Sequence, residues 1–429
     1  MDYLISEKII FTEGYKNAAI YDLNHKKVYS INDTAKDIIN RVILRGELPL
    51  SKIEDDYIKS LISNELYNKG FKIEKYKIDN QCAVKLNFAW LEITQACNLK
   101  CLHCYEGETH NQSGNSLDVD NWINIIDQLY DVGCRRIQFI GGEPCIHPKL
   151  ISLIDYAKTK GFESITIFTN ATILNDDLLD CLLRNNVNIR FSIYGHTAQI
   201  HDTITQVSGS FEKTVMNIKR LMKLKINVSA AVIIMRENQD FTDDIKTFIE
   251  SLRLKYSGYD VIRNVYGGKQ SNHTPTNEVI INNSIRSKPE FFINEEAFNE
   301  AHQTNTCWYG KFAITETGVI IPCVFERSII LGDIKKQSIQ KILDSEILKK
   351  HWFLTFNQVK TCMDCEFKYA CRDCRPLGIS KCGELFDKNP RCSYNPITGD
   401  WKTDRKKASD CDCDSDKRDN SLFKDTSVE

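Results

Sequence analysis

The segment Cys97-Asn98-Leu99-Lys100-Cys101-Leu102-His103-Cys104 sets three thiols at a CxxxCxxC spacing. Thiolates spaced in this way can each take one iron of a [4Fe–4S] cube, a cluster usually held by four cysteines. The fourth iron then has no local protein ligand, and a small molecule bound there can receive an electron. Tetrahedral zinc is the competing chemistry, with His103 or a distant residue completing the set; the spacing alone leaves both open. A second collection of thiols lies downstream. Cys307 is followed by Gly318 and Cys323, then by Cys362-x2-Cys365-x5-Cys371-x2-Cys374, and finally by Cys392. Its CxxC pairs suit a zinc ribbon as well as iron–sulfur chemistry.

A chain of 429 residues is long enough for two or three domains. With 42% apolar and 27% charged residues its composition is globular, and a formal net charge of −2 gives no overall pull toward nucleic acid or anionic membrane. The opening residues Met1-Asp2-Tyr3-Leu4-Ile5-Ser6-Glu7-Lys8 lack the basic start and apolar core of a signal peptide. No apolar run approaches the ~20 residues of a membrane span. Seventeen cysteines in such a chain point to metal or redox chemistry rather than disulfides, and to the cytoplasm.

The residues that must position the first thiol group lie between 88 and 265. Strand patterns at Phe88–Thr94, Ile137–Ile140, Ser164–Thr169, Asn188–Ile193, Asn227–Met235 and Tyr259–Arg263 alternate with helical patterns. The helices are expected at Val119–Tyr130, Lys149–Thr159, Asp176–Arg184, Phe211–Leu224 and Asp240–Leu254. Such repeats predict an α/β fold with a parallel sheet and right-handed crossovers, curved into an incomplete barrel. The polar motifs fall where strands end. CxxxCxxC follows the first strand, Gly141-Gly142-Glu143-Pro144 the second, Thr169-Asn170 the third, and Ser192-Ile193-Tyr194-Gly195 the fourth. In parallel α/β folds the carboxyl ends of the strands form the active face, so the motifs converge on one rim.

CxxxCxxC after a first strand, with GGEP after the second, resembles the radical S-adenosylmethionine (SAM) superfamily, whose partial (β/α)6 barrel would cover 88–265. The resemblance implies that SAM chelates the open iron through its amino nitrogen and carboxylate. An electron from the cluster then cleaves the sulfonium to methionine and a 5′-deoxyadenosyl radical. It assigns Gly141, Gly142 and Glu143 to the methionine amino group, with Glu143 able to pair with the ammonium. Asn170 and Ser192 fall where the family contacts the methionine moiety or ribose, and His103 where many members place an aromatic beside adenine. Taken singly these residues have plainer explanations: a tight turn, a strand end, a packed histidine, a satisfied hydroxyl. Cys134, Cys145 and Cys181 fit helix or loop positions and are expected to be structural thiols.

Region 307–400 resembles the SPASM extension of radical SAM enzymes, which holds two auxiliary [4Fe–4S] clusters. The family pattern assigns Cys362, Cys365, Cys371 and Cys392 to an outer cluster and Cys307, Cys323 and Cys374 to an inner one. Cys371 and Cys374 are separated by two residues where the family usually has three. The inner set is one ligand short, leaving Cys382, Cys82, a tail cysteine or a substrate thiolate to complete it. Residues 76–87 form a linker and 266–306 a polar bridge or lid. The charged stretch 401–429, with Cys411 and Cys413, is expected to be disordered.

Residues 1–75 are expected to form a small α+β unit with strands at Ile9-Ile10-Phe11, Ala18-Ala19-Ile20-Tyr21 and Lys27–Ile31. Asn32 or Asp33 then caps a helix carrying Ala35, Ile38, Ile39 and Val42 on one face. A second helix groups Tyr57, Leu61, Ile62 and Leu66, stops at Gly70, and leads to a wing strand Phe71-Lys72-Ile73. This winged-helix order, with Tyr29–Ala35 and Asn68–Phe71, resembles the RiPP recognition element, which binds leader peptides of ribosomally made peptides by adding a strand to its sheet edge. An ordinary DNA-binding winged helix is the alternative, but the helices present no basic recognition face.

Together the three parts resemble maturases that install thioether (sactipeptide or ranthipeptide) or carbon–carbon crosslinks in precursor peptides. The resemblance implies a precursor peptide held through its leader, a reductant such as flavodoxin or ferredoxin, and neither nucleic acid nor membrane as partner. An inner cluster with an open iron would suit a substrate thiolate, so thioether formation ranks first and carbon–carbon crosslinking second. Sulfatase maturases, which place an acidic residue where Val324 stands, rank lower. A zinc- and peptide-binding adaptor and a metal-sensing regulator are the non-enzymatic alternatives.

Overall fold

The computed structural model describes residues 1–78, 82–104, 116–263, 272–284, 292–372, 374–382 and 384–401. The N-terminal unit is a five-stranded antiparallel sheet in the order β4-β3-β2-β1-β5, formed by β1 (Asp2–Ser6), β2 (Ile9–Glu13), β3 (Ala18–Asp22), β4 (Lys27–Ile31) and β5 (Glu74–Lys75). Strand β1 and the placement of the last strand at 74–75 differ from the expected three strands and a wing at 71–73. The segment Asp2–Ser6 is short and mixed in polarity, so it carries no clear alternation.

Successive side chains of a strand point to opposite faces, and here both faces are covered. Ile9, Phe11, Ala18 and Ile20 pack against helices α1 (Asp33–Ile38, continued as a π-helix over Ile39–Leu44) and α2 (Lys52–Ser63). Ile10, Ala19 and Tyr21 pack against Phe298 of the bridge and against Phe367, Tyr369 and Tyr394 of the distant cysteine-rich region. That explains the unbroken apolar runs at 9–11 and 18–21. Asn32 caps α1, its side chain accepting from the Ala35 amide. Helix α2 ends at Ser63 rather than near Gly70, buries Ile58 and Leu61, and leaves Ile62 exposed.

The central unit is a run of parallel strands β6 (Phe88–Thr94), β7 (Arg136–Gly141), β8 (Ser164–Thr169), β9 (Asn188–Ile193), β10 (Val228–Ile234) and β11 (Asp260–Val261), each paired with its sequence neighbour. Helices α3 (Val119–Asp131), α4 (Leu150–Lys160), α5 (Asp176–Asn185), α6 (Ala198–Thr205), α7 (Ser210–Lys223) and α8 (Thr242–Ser251) alternate with them. Trp122, Ile125, Ile126 and Leu129 of α3 belong to the same core as Ala89, Leu91 and Ile93 of β6 and Ile137 and Phe139 of β7. Cys134 and Cys181 are buried in that core. Helix α6 was not expected; it is short, and its polar residues dilute the periodic signal.

The sheet does not stop at the barrel. Within 266–306 the structure forms α9 (Asn277–Ser284) and α10 (Glu295–Gln303), after which β12 (Lys311–Ile314) pairs in parallel with β6. Antiparallel β13 (Val319–Ile321) and β14 (Gly332–Asp333) extend the sheet further, to nine strands in all. Ala313 and Ile321 of this hairpin, with Val324, join Ile140 in a second apolar cluster, against which Trp90 and Phe168 pack. The Cys382 side chain and residues 402–429, with Cys411 and Cys413, lie outside the described residues.

Candidate active site

The loop after β6 is fixed from three sides. The Lys100 and Leu102 amides donate to the Thr205 and Ile204 carbonyls at the end of α6 (3.0 and 3.0 Å). Asn98 bridges to Thr172 (2.7 Å) and accepts from Asn170 (2.9 Å). The Gly142 and Glu143 amides donate to Thr94 and Ala96 (2.7 and 2.9 Å). Gly141 has φ +147, and a Cβ there would stand 2.0 Å from the Thr94 carbonyl oxygen; at Gly142 it would stand 2.3 Å from that of Ala96. Only glycine lets the two rim loops lie this close.

Cys97, Cys101 and Cys104 are not in disulfides and lie close enough to feel one another's charge. Burial, then the neighbouring carboxylate and thiolates, pushes Cys97 up to about 11 and Cys101 further. Neutral thiols in such a pocket must lose protons when a metal group binds. Among the described residues no three Cys, His, Asp or Glu side chains converge on a single-ion position. Three thiols on one loop suit a cube, which takes one thiolate to each of three irons.

Glu143 is buried and holds the rim together. Its carboxylate accepts from the Thr169 hydroxyl (2.7 Å), the Asn170 amide (2.7 Å) and the Cys145 amide (2.9 Å). Burial raises its pKa while these bonds oppose the rise. The Cys145 side chain bonds this carboxylate as well, so the roughly four acceptor positions of Glu143 serve to tie the rim loops together. Cys145 was expected to be purely structural; its thiol reaches the Thr169 hydroxyl at 3.5 Å, inside this network. The Asn170 side chain accepts from the Thr172 amide and hydroxyl (2.9 and 2.6 Å) and stands 4.0 Å from the Cys97 sulfur.

His103 meets Tyr194 edge to face, with centroids 4.6 Å apart, and burial lowers its pKa to about 4. Its Nδ1 is buried with no hydrogen-bond partner among the described residues. Ser192 is buried near the end of β9, and its hydroxyl bonds the Tyr194 side chain. Tyr194, within the fourth rim motif, touches both His103 and Ser192. Asn238, fully buried, donates to the Tyr194 carbonyl (2.9 Å) and fixes that corner.

The downstream thiols fall into two groups. Cys365 feels the charges of Cys362 and Cys371, and Cys365 and Cys392 pack at the interface with the N-terminal sheet. Cys323 feels Cys374, and both lie with Cys307 around the Arg263 guanidinium just beyond β11. Cys82 sits beside Tyr309 and Glu300, and its amide donates to Gln303 (2.8 Å). The two three-thiol groups flank the end of β11. Cys101 packs on the apolar cluster containing Val261 and Ile262, and the next residue is Arg263.

Two buried carboxylates escaped the sequence reading. Glu92, on β6, pairs with Arg327 at 2.5 Å. Glu316, in the β12–β13 turn, accepts from the Gln95 amide (2.5 Å) and the Ser116 hydroxyl. Both tie the barrel to the C-terminal region. Their only sequence signal was an acidic residue inside an apolar strand or between two apolar runs.

A partial α/β barrel carrying three thiols on its first rim loop defines the class. Residues 91–250 match the radical SAM superfamily, and residues 307–375 match the iron–sulfur cluster-binding SPASM domain. The chain is a radical SAM enzyme with a SPASM domain; SAM and a [4Fe–4S] cluster are its cofactors, and the SPASM domain binds auxiliary clusters. It is similar to the antilisterial bacteriocin subtilosin biosynthesis protein AlbA of Bacillus subtilis, with 24% identity across 79% of this chain and 78% of that protein. It is also similar to the AdoMet-dependent heme synthase of Methanosarcina barkeri, with 24% identity across 72% and 96%. Among solved structures, Streptococcus suis SuiB bound to its precursor peptide SuiA matches with a TM-score of 0.56, 12% identity and coverage of 91% and 99%. anSMEcpe with bound AdoMet matches with 0.56, 16%, and 73% and 94%. Among the described residues no helix is long and apolar enough to cross a membrane.

Proposed function

We propose that this enzyme matures a ribosomally made precursor peptide by joining cysteine sulfur to carbon as thioether crosslinks. The observation that carries the proposal is the pairing of three-thiol groups across the end of β11, Cys97, Cys101 and Cys104 on one side and Cys307, Cys323 and Cys374 on the other. When bound, SAM and the clusters would supply a radical that takes a hydrogen atom from a peptide C–H, and an acceptor for the electron released as sulfur bonds to that carbon. The subtilosin biosynthesis protein and peptide-bound SuiB support a peptide substrate.

In this reading Cys97, Cys101 and Cys104 hold the SAM cluster. Gly141, Gly142 and Glu143 receive the methionine ammonium, Asn170 and Ser192 contact the methionine moiety or ribose, and His103 lies beside adenine. Cys307, Cys323 and Cys374 hold the inner auxiliary cluster with one iron open to substrate, while Cys362, Cys365, Cys371 and Cys392 hold the outer one. The divisions are 1–75 for leader recognition, 88–265 for the barrel and 307–400 for the auxiliary clusters, in a cytoplasmic enzyme reduced by a flavodoxin or ferredoxin. Strand β4 is an edge of its sheet, the position where a leader peptide would add as a further strand.

Coexpression with a short, cysteine-containing reading frame found beside this gene tests the reaction. The peptide is expected to lose two hydrogens per crosslink, and its crosslinked cysteines to resist alkylation. The same mass loss with every cysteine still alkylated would overturn thioether formation.

A further inference from the structure

Arg263 is the last barrel residue before the inner thiol group, and no motif in the sequence marks it. One nitrogen, Nη2, pairs with Asp260. The guanidinium lies over the Phe325 ring, 4.6 Å from its centroid, and Phe325 is two residues from Cys323. Its Nε is buried and has no hydrogen-bond partner among the described residues. Cys374, Cys307 and Cys323 all lie near enough for their charges to act on this guanidinium, as does Asp260.

A second arginine braces the first. Arg391 donates to the Ile262 carbonyl (2.5 Å) and stands 3.9 Å from Asp260. Arg263 and Arg391 thus share Asp260 beside the three thiols. Structural packing would be served by an arginine whose fork is fully paired; here the Nε–H has no hydrogen-bond partner among the described residues and lies beside three thiols.

Resting on the thioether proposal above, we infer that Arg263 is a positioning residue that holds an anionic sulfur of the substrate at the inner cluster, with Asp260, Phe325 and Arg391 fixing its guanidinium. Its planar fork can donate to an anion while staying paired with Asp260, which a point-charge ammonium would do less well. The same charge favours the more reduced cluster, because it lies beside the electron being added. Arg263 thereby links the affinity of the inner site for a thiolate to the potential of the cluster that receives it.

The test uses the full chain, loaded anaerobically with iron and sulfide, as the parent and as Arg263→Gln, Arg263→Lys and Arg184→Gln. Arg184 pairs with Asp155, so its loss removes an equal charge away from the thiols. The probes are N-acetylcysteine, with N-acetylserine as control, followed by the electron paramagnetic resonance of the reduced auxiliary clusters. In the parent, N-acetylcysteine is expected to change the inner-cluster signal. Arg263→Gln is expected to weaken that binding on the order of tenfold and to move the cluster potential to a more negative value. Arg263→Lys restores part of both, and Arg184→Gln moves neither. Iron and sulfide contents equal to the parent's show that the variants are loaded. If thiol binding or potential is the same in the parent and Arg263→Gln, the role of Arg263 is overturned while the thioether proposal stands. If the thiol leaves the parent's inner cluster unchanged, the open-iron reading itself fails. If Arg263→Gln takes up less iron, Arg263→Lys decides: thiol binding weakened but not lost, with full iron, supports the role, and binding equal to the parent's or iron loss equal to that of Arg263→Gln overturns it.

Discussion

The two thiol-bearing regions are built by opposite means. Cys97, Cys101 and Cys104 share one short loop, and what the fold adds is anchorage: α6 carbonyls below, Asn170 beside, and glycines alongside. Cys307, Cys323 and Cys374 come from three separate segments, and the hairpin joined to β6, the end of β11 and the start of the helix Arg375–Cys382 bring them near Arg263. The first group is a local motif awaiting support. The second exists only when the chain is folded, so damage to packing should reach it sooner.

The largest expected effect tests the local group. Cys97→Ala, Cys101→Ala or Cys104→Ala should reduce deoxyadenosine formation to background, since a cluster open at one iron cannot assemble; continued SAM cleavage would break the comparison. Cys374→Ala should act more narrowly. Iron should fall from about twelve per chain toward about eight, as one of three cubes is lost, while deoxyadenosine still forms. Loss of SAM cleavage in that variant would mean that the groups are not independent.

The support of the local group can be weakened without touching its thiols. Asp202 on α6 accepts from the Ser210 hydroxyl and the Gly209 and Phe211 amides (2.7, 2.7 and 2.9 Å), serving as a remote cap for α7. Asp202→Ala should cost about 2 kcal/mol by leaving the Gly209 and Phe211 amides without this acceptor, read from denaturant unfolding of the loaded protein. Burial raises the Asp202 pKa, but its hydrogen bonds outweigh that and set it below 3.8. Its contribution is therefore present above pH 3.8 and is lost as pH falls through the lower folded value. The difference between parent and variant should shrink in acid, and a constant difference would refute this role. The smallest effect belongs to the interface beside the outer thiols. Tyr21→Phe removes the bond from its hydroxyl to the Glu366 carbonyl (2.7 Å) and should cost about 1 kcal/mol. Loss of iron in that variant beyond its effect on stability would show that the N-terminal sheet also shapes the outer group.

Much of the barrel was legible because its strands and helices carry long, clean periodicity. Expected and observed bounds of β6, β8 and β9 coincide, and α3 covers the expected 119–130 helix, with Trp122, Ile125, Ile126 and Leu129 buried. What was not legible depended on contacts between distant segments. The doubly covered N-terminal sheet erased the alternation that would have revealed its two faces, and β1 was too short to signal itself. Tyr194, Glu316 and Arg263 are ordinary residues in sequence. Their importance comes from what they meet: an edge-to-face histidine, two barrel loops, and three thiols gathered from separate segments.

The pairing of β12 with β6 also bears on how the protein can be divided. Removal of everything after 306 would strip the first barrel strand of its partner, exposing a row of backbone donors and acceptors beside Trp90 and the hydrophobic interior. Unpaired edges of this kind recruit other chains. A barrel expressed alone should therefore be recovered as aggregate, and the boundary that separates the matched families in sequence is not a place where the molecule can be cut.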